Sequence, residues 1–170
     1  MALLKRRATA RSGLDVKQEL ERVAAQEAGL VCEPVGADAA WRLGSLLREA
    51  ALERGAGLAI EVRLGGTTVF FSSMAGATPA NADWARRKRN TVELQARSSY
   101  GVGLALDVQG RTLQDTMGLP LRDYASHGGS FPLRSSSGLL WGVVTVSGLP
   151  QRDDHELVVA ILAQWLRELA

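Results

Sequence analysis

Leu58-Ala-Ile-Glu-Val-Arg-Leu64, then Gly65-Gly66, then Thr67-Thr-Val-Phe-Phe-Ser-Ser73 is the stretch from which the fold can be read. Leu58, Ile60, Val62 and Leu64 alternate with Ala59, Glu61 and Arg63, the pattern of a strand with one buried face. The glycine pair supplies a two-residue turn, so the second run returns antiparallel to the first. A plain two-residue turn sets Val69 opposite Val62 and Phe71 opposite Ile60, which leaves Phe70 on the other face with Ala59, Glu61, Arg63 and Thr68. That mixed face needs a cover, and a partner subunit is expected to provide part of it.

Towards the N-terminus, Asp15 to Ala28 carries Val16, Leu20, Val23 and Ala24 at helical spacing, with Asp15 and Gln18 placed as a capping box. Leu30 to Val35 reads as extended, and Asp38 as the cap of a second helix with the stripe Ala40, Leu43, Leu47, Ala50 and a stop at Gly55. Towards the C-terminus, Thr78-Pro79 opens a helix over about Asn81 to Ser98. Glycine-punctuated pieces follow to Tyr124 without a readable period. Phe131 to Arg134 and Leu139 to Ser147 form a second hairpin, and Leu157, Val158, Ile161, Leu162, Trp165, Leu166 and Leu169 stripe a final helix. Helices set between hairpins, without β-α-β alternation, predict an α/β domain whose mostly antiparallel sheet is flanked by helices.

The chain has 170 residues, 46% hydrophobic and 22% charged, with a net charge of +2. Four positive charges and no acid fall in residues 1–12, at Lys5, Arg6, Arg7 and Arg11, leaving −2 for the remainder. The basic character therefore belongs to an N-terminal tail, taken as 1–12, and residues 13–170 form one domain with no basic face for nucleic acid. No apolar run approaches the roughly 20 residues of a membrane span. A single cysteine, Cys32, allows no internal disulfide and suits a cytoplasmic compartment. With only His127 and His155 beside it, a closed Cys/His zinc site is excluded.

The specific motifs are Asp123-Tyr-Ala-Ser-His-Gly-Gly-Ser-Phe-Pro132, Gly142-Val-Val-Thr-Val-Ser-Gly-Leu-Pro150 and Asp153-Asp-His-Glu156. Together they resemble the haem-degrading-domain family, also called GlcG-like or HbpS-like. In that family a Gly-Gly-x-Phe-Pro turn leads into a hairpin, a Val-Ser-Gly turn and a helix opening with acids. An uncharacterised branch also carries a Trp-x-Arg-Arg-Lys-x-Asn helix, matched here by Asp83, Trp84, Arg86, Arg87, Lys88 and Asn90. The resemblance covers most of Asp15 to Leu169. It implies a three-layer α-β-α sandwich, assembly into homo-oligomers and, as in some relatives, binding or degradation of haem.

The residues have their own reading beside the resemblance. His127, in a glycine-rich loop, is the candidate haem-iron ligand, against the plainer reading of a hydrogen-bonding loop histidine. Gly128 and Gly129 let backbone amides approach a ligand, or simply make a tight turn. Lys88 lies four residues from both Trp84 and Val92, on an otherwise apolar face, and needs a partner (a buried carboxylate such as Asp154, a ligand carboxylate, or water), against the plainer reading of a solvated helix from which it snorkels. His155 beside Asp153 and Asp154 is either a ligand contact or a capping residue. Arg86 and Asn90 join the ligand-binding candidates through the helix motif. The first functional expectation is a binding protein for haem or a similar flat anion. The others are an oligomeric scaffold with a vestigial pocket, and an enzyme acting on a small carboxylate held by Lys88 and the Gly128-Gly129 amides. Convergence of Lys88, His127 and Asp154 on one cavity separates them.

Overall fold

A computed structural model describes residues 13–170; the basic tail expected at 1–12 lies outside the described residues. The order is α1 (Gly13–Gly29), α2 (Ala37–Glu53), β1 (Ala59–Leu64), β2 (Thr67–Ser73), α3 (Pro79–Gln95), α4 (Ser99–Gln109), α5 (Leu113–Met117), β3 (Ser130–Arg134), β4 (Leu140–Ser147) and α6 (Gln151–Leu169). The strands form one antiparallel sheet in the order β2-β1-β4-β3, with helices on both faces. Both expected hairpins are present. No described helix is long and apolar enough to cross a membrane.

Period-two alternation gives each central strand one face for each helical layer. Ile60, Val62, Val144 and Val146, with Phe131 and Leu133, meet Leu43 and Leu47 of α2 and Leu157, Leu162 and Trp165 of α6 in the main core. Each of these side chains, fully removed from water, contributes about 1.5–3 kcal/mol of transfer free energy before entropy is charged against it. α3 lies over the opposite face, with α4 beside it and α1 packed on α4 through Val23, Tyr100 and Leu104.

Four expectations need correction. The first hairpin carries a bulge: Val62 pairs with Phe70 and Arg63 with Thr68, so Val69 is the extra residue. Phe70, and not Phe71, therefore enters the core. Phe70 is 5% exposed and Phe71 51%. The cause is a seat built for one ring. Phe70 rests on Gly44 of α2, where an added Cβ would stand 2.3 Å from the ring, and its centroid is 5.0 Å from that of Trp41, edge to face.

The mixed face, secondly, is covered around Glu61 and Arg63 by α3, through charge pairs. Arg89 pairs with Glu61 at 2.8 Å, Thr68 Oγ1 donates to the same carboxylate at 2.8 Å, and Arg63 pairs with Glu93 at 3.1 Å. Charge pairing does there what the sparse apolar stripe of α3 could not. Thirdly, α2 is capped by Gly36, with Asp38 inside the first turn. Fourthly, α3 stops at Ala96, which adopts φ 51°, and the unread glycine-rich region becomes α4 and α5. The segment after α1 is extended without being a strand: Cys32 N donates to Arg134 O at 2.9 Å, fringing β3. The half-buried Cys32 thiol is pushed up by burial and by Glu33, which leaves it protonated and inert.

Candidate functional site

Three pieces of chain meet at one end of α3: its first two turns, the loop leading into β3, and the junction from β4 to α6. Pro79 suits the first turn of α3 because its fixed φ and missing N–H cost nothing there, and Asn81 Oδ1 accepts from Thr78 N at 2.8 Å. From that start Trp84 and Lys88, four residues apart, project from the same side.

Lys88 is 4% exposed and its carboxylate is Asp154, 1% exposed, in the first turn of α6. Nζ donates to Asp154 Oδ2 at 2.8 Å and to Val146 O at 3.3 Å. Asp154 also accepts from Leu149 N at 3.0 Å and Gly148 N at 3.3 Å. Burial acts against both charges, pulling Lys88 down and pushing Asp154 up, while their mutual attraction and the two amides oppose it. The pair ties α3, β4 and α6 together.

Gly128 and Gly129 serve close packing. A Cβ on Gly129, which sits at φ +126°, would lie 2.4 Å from Val146 O and 2.9 Å from Lys88 Nζ; one on Gly128 would lie 2.0 Å from Gln151 O. The Gly128 amide is already spent on Gln151 Oε1, at 3.3 Å. It is therefore not offered to a ligand, contrary to one reading of the sequence.

His127 is exposed, and its ring stands 4.9 Å from Trp84, edge to face. Neither ring nitrogen has a hydrogen-bond partner among the described residues. Partial desolvation, then the cations Lys88 and Arg87, hold its pKa below the ordinary value, so the imidazole is neutral at pH 7 with a lone pair to give. The Arg87 guanidinium lies 4.2 Å over the Trp84 ring. Arg86, Lys88 and Arg89 each hold a carboxylate. Arg87 has none among the described residues, and its buried Nε is without a partner.

His127, Trp84 and Lys88 line one cleft of about 230 Å³, with Asn81, Gln151 and the turn Ser147–Leu149 completing it. Asp154 lies beneath it, behind Lys88. The other candidates sit elsewhere. Arg86 bonds to Asp83 and Asp123, and Asn90 Nδ2 donates to Asp123 O at 2.9 Å, so both brace the loop that carries His127. His155 is buried on the far side, its ring 4.9 Å from Tyr100 and its Nε2 bonded to Gln26 at 2.9 Å. Asn81 and Gln151 drew no expectation from the sequence, and Arg87 entered only as part of the helix motif, without a role. For Arg87 the only available signal was the Trp84 three residues earlier, which a guanidinium can cover.

Among the described residues no group of three His, Cys, Asp or Glu stands ready for a bare metal ion. Iron already held by four porphyrin nitrogens asks the protein for one donor, and a lone free imidazole fits that demand.

The family described as "Haem degrading protein HbpS-like" matches residues 35–163. A UPF0303 protein of Paraburkholderia phymatum is 54% identical over 153 residues, which is 90% of this chain and 93% of that one. The crystal structure of the Ybr137w protein superposes with a TM-score of 0.82 at 24% identity, over 91% of this chain and 94% of that one. A structure titled as a PduOC:heme complex superposes with a TM-score of 0.66 at 17% identity, over 77% and 94% of the two chains.

Proposed function

The chain belongs to the HbpS-like family of haem-degrading proteins, and from that premise we propose that it binds haem, with His127 supplying the axial nitrogen. The observation that carries the reading is the state of His127: exposed, neutral, unbonded, and beside Trp84 with two cations near. Arg87, which lacks a carboxylate of its own, suits an anionic arm of the macrocycle. The solved haem complex among the structural relatives supports the same ligand. A cleft of about 230 Å³ lies below the roughly 300–1,000 Å³ of pockets that enclose a ligand, so haem would rest across the rim. Haem there would be either cargo or the molecule consumed; the chain's own part is to bind and orient it.

Haemin titration with visible detection tests this. The wild type should give a sharp Soret band, and His127→Ala should shift or broaden it with the fold intact. An identical titration for the variant removes His127 as the ligand, and no binding at all removes haem. We also propose that the working form is a homo-oligomer, supported by the open edge of β2, which among the described residues pairs only with β1 and carries no charged residue.

A further inference from the structure

The cleft behind the His127 rim has a chemistry of its own. Asn81 and Gln151 both line it, and each has its amide oxygen fixed by a backbone donor: Thr78 N for Asn81, at 2.8 Å, and Gly128 N for Gln151, at 3.3 Å. That settles the orientation of both amides, leaving two NH₂ groups with no acceptor among the described residues. Lys88 Nζ has three protons and two acceptors, Asp154 and Val146 O, so one N–H remains. Among the described residues no carboxylate lines the cleft. The two amides and Lys88 thus bring free donors to the cleft, and two of the walls, Trp84 and Leu149, are apolar.

Taking about 30 Å³ per water molecule, 230 Å³ holds roughly eight waters, the bulk of a molecule of about ten heavy atoms. We propose that this cleft binds a small planar carboxylate, its oxygens held by the amides of Asn81 and Gln151 and the remaining proton of Lys88, its flat body against Trp84. A carboxylate fits because it accepts several bonds at once, the N–H that the Asp154 pair leaves on Lys88 among them. The proposal does not rest on haem binding, which uses the rim imidazole. The same carboxylate chemistry could arrive as a free acid or as the acid arm of haem.

Benzoate is the probe, with benzamide as its neutral isostere, each titrated by calorimetry. Benzoate should saturate, and benzamide should bind at least about tenfold more weakly, a ratio within reach of one charge-assisted hydrogen bond. Gln151→Glu and Asn81→Asp keep the oxygen that Gly128 N or Thr78 N needs, so their thermal midpoints should hold. Each replaces a donor by an acceptor and should weaken benzoate by about tenfold or more. Equal binding of benzoate and benzamide, no saturation by benzoate, or both variants binding like the wild type would overturn the proposal. Haemin and its dimethyl ester separate the sources. Displacement of benzoate by haemin but not by the ester assigns the site to the acid arm, and indifference to both assigns it to a free acid. Haemin ligation by His127 without benzoate binding would sink this proposal and leave the haem reading standing.

Discussion

His155 shows how burial decides what a titratable residue does. Its pKa is lowered to about 4 by desolvation, which Glu156 and Glu19 oppose and Arg22 reinforces, and the residue is 1% exposed. A base held below its unfolded pKa binds fewer protons in the native state, so its stabilising contribution is full above pH 6.5 and is lost as pH falls towards 4. The loss is about 3 kcal/mol over that window. Denaturant unfolding at a series of pH values should show it in the wild type, and His155→Gln should remove that part of the slope; parallel pH profiles would contradict it. Lys88 was legible in the sequence because the stripe Trp84, Lys88, Val92 marks a cation that needs a partner, of which Asp154 was one choice beside a ligand or water. Its neighbour Arg87 was not, because four consecutive cations look alike until each acid is located in space. His155 was read as a surface or ligand residue, since its position relative to Gln26 and Tyr100 depends on α1 folding back over α4.

β2 is where local pattern and packing disagree. Alternation and the Gly65-Gly66 turn identify both strands, yet the doublet Phe70-Phe71 gives period two no means of choosing which ring goes inside. The bulge at Val69 makes the choice, and its cause lies 25 residues upstream in the gap at Gly44. Phe70→Ala should therefore cost about 3–5 kcal/mol, while Phe71→Ala should change stability by no more than about 0.5 kcal/mol. Urea unfolding of the two variants measures the difference, and equal losses would refute the bulged register. α4 escaped notice for a related reason. Gly101 and Gly103 look like loop punctuation but are contact points, since added Cβ atoms would meet Glu27 Oε1 at 2.7 Å and Ser126 O at 2.1 Å. Glycine there lets a helix lie close to its neighbours on both sides, which one-dimensional spacing cannot signal.

At the scale of the whole molecule, the β2 edge of the sheet has no lid among the described residues. Thr67–Ser73 has strong β propensity and no charge, and Phe71 projects beside it, which is a template for another strand unless it is paired. Light scattering at micromolar concentration should give a mass well above that of the 18.2 kDa chain, and Phe71→Lys should lower it. A clean monomer in the wild type would mean the bulge alone protects the edge. The layered architecture was legible because both hairpins and the flanking helices announce themselves locally. The central pairing was not, because residues 59–64 meet 142–147 across some 80 residues of intervening chain. That seam sets the order of assembly. Each hairpin can close in about 1–10 μs, whereas joining β1 to β4 must close a loop costing about 4 kcal/mol in entropy, so folding waits on its middle. The same logarithm makes the excursion elastic over evolutionary time. Doubling its length would add only about 0.6 kcal/mol, so α4 and α5 can be elaborated or rebuilt among relatives while the four strands stay in register.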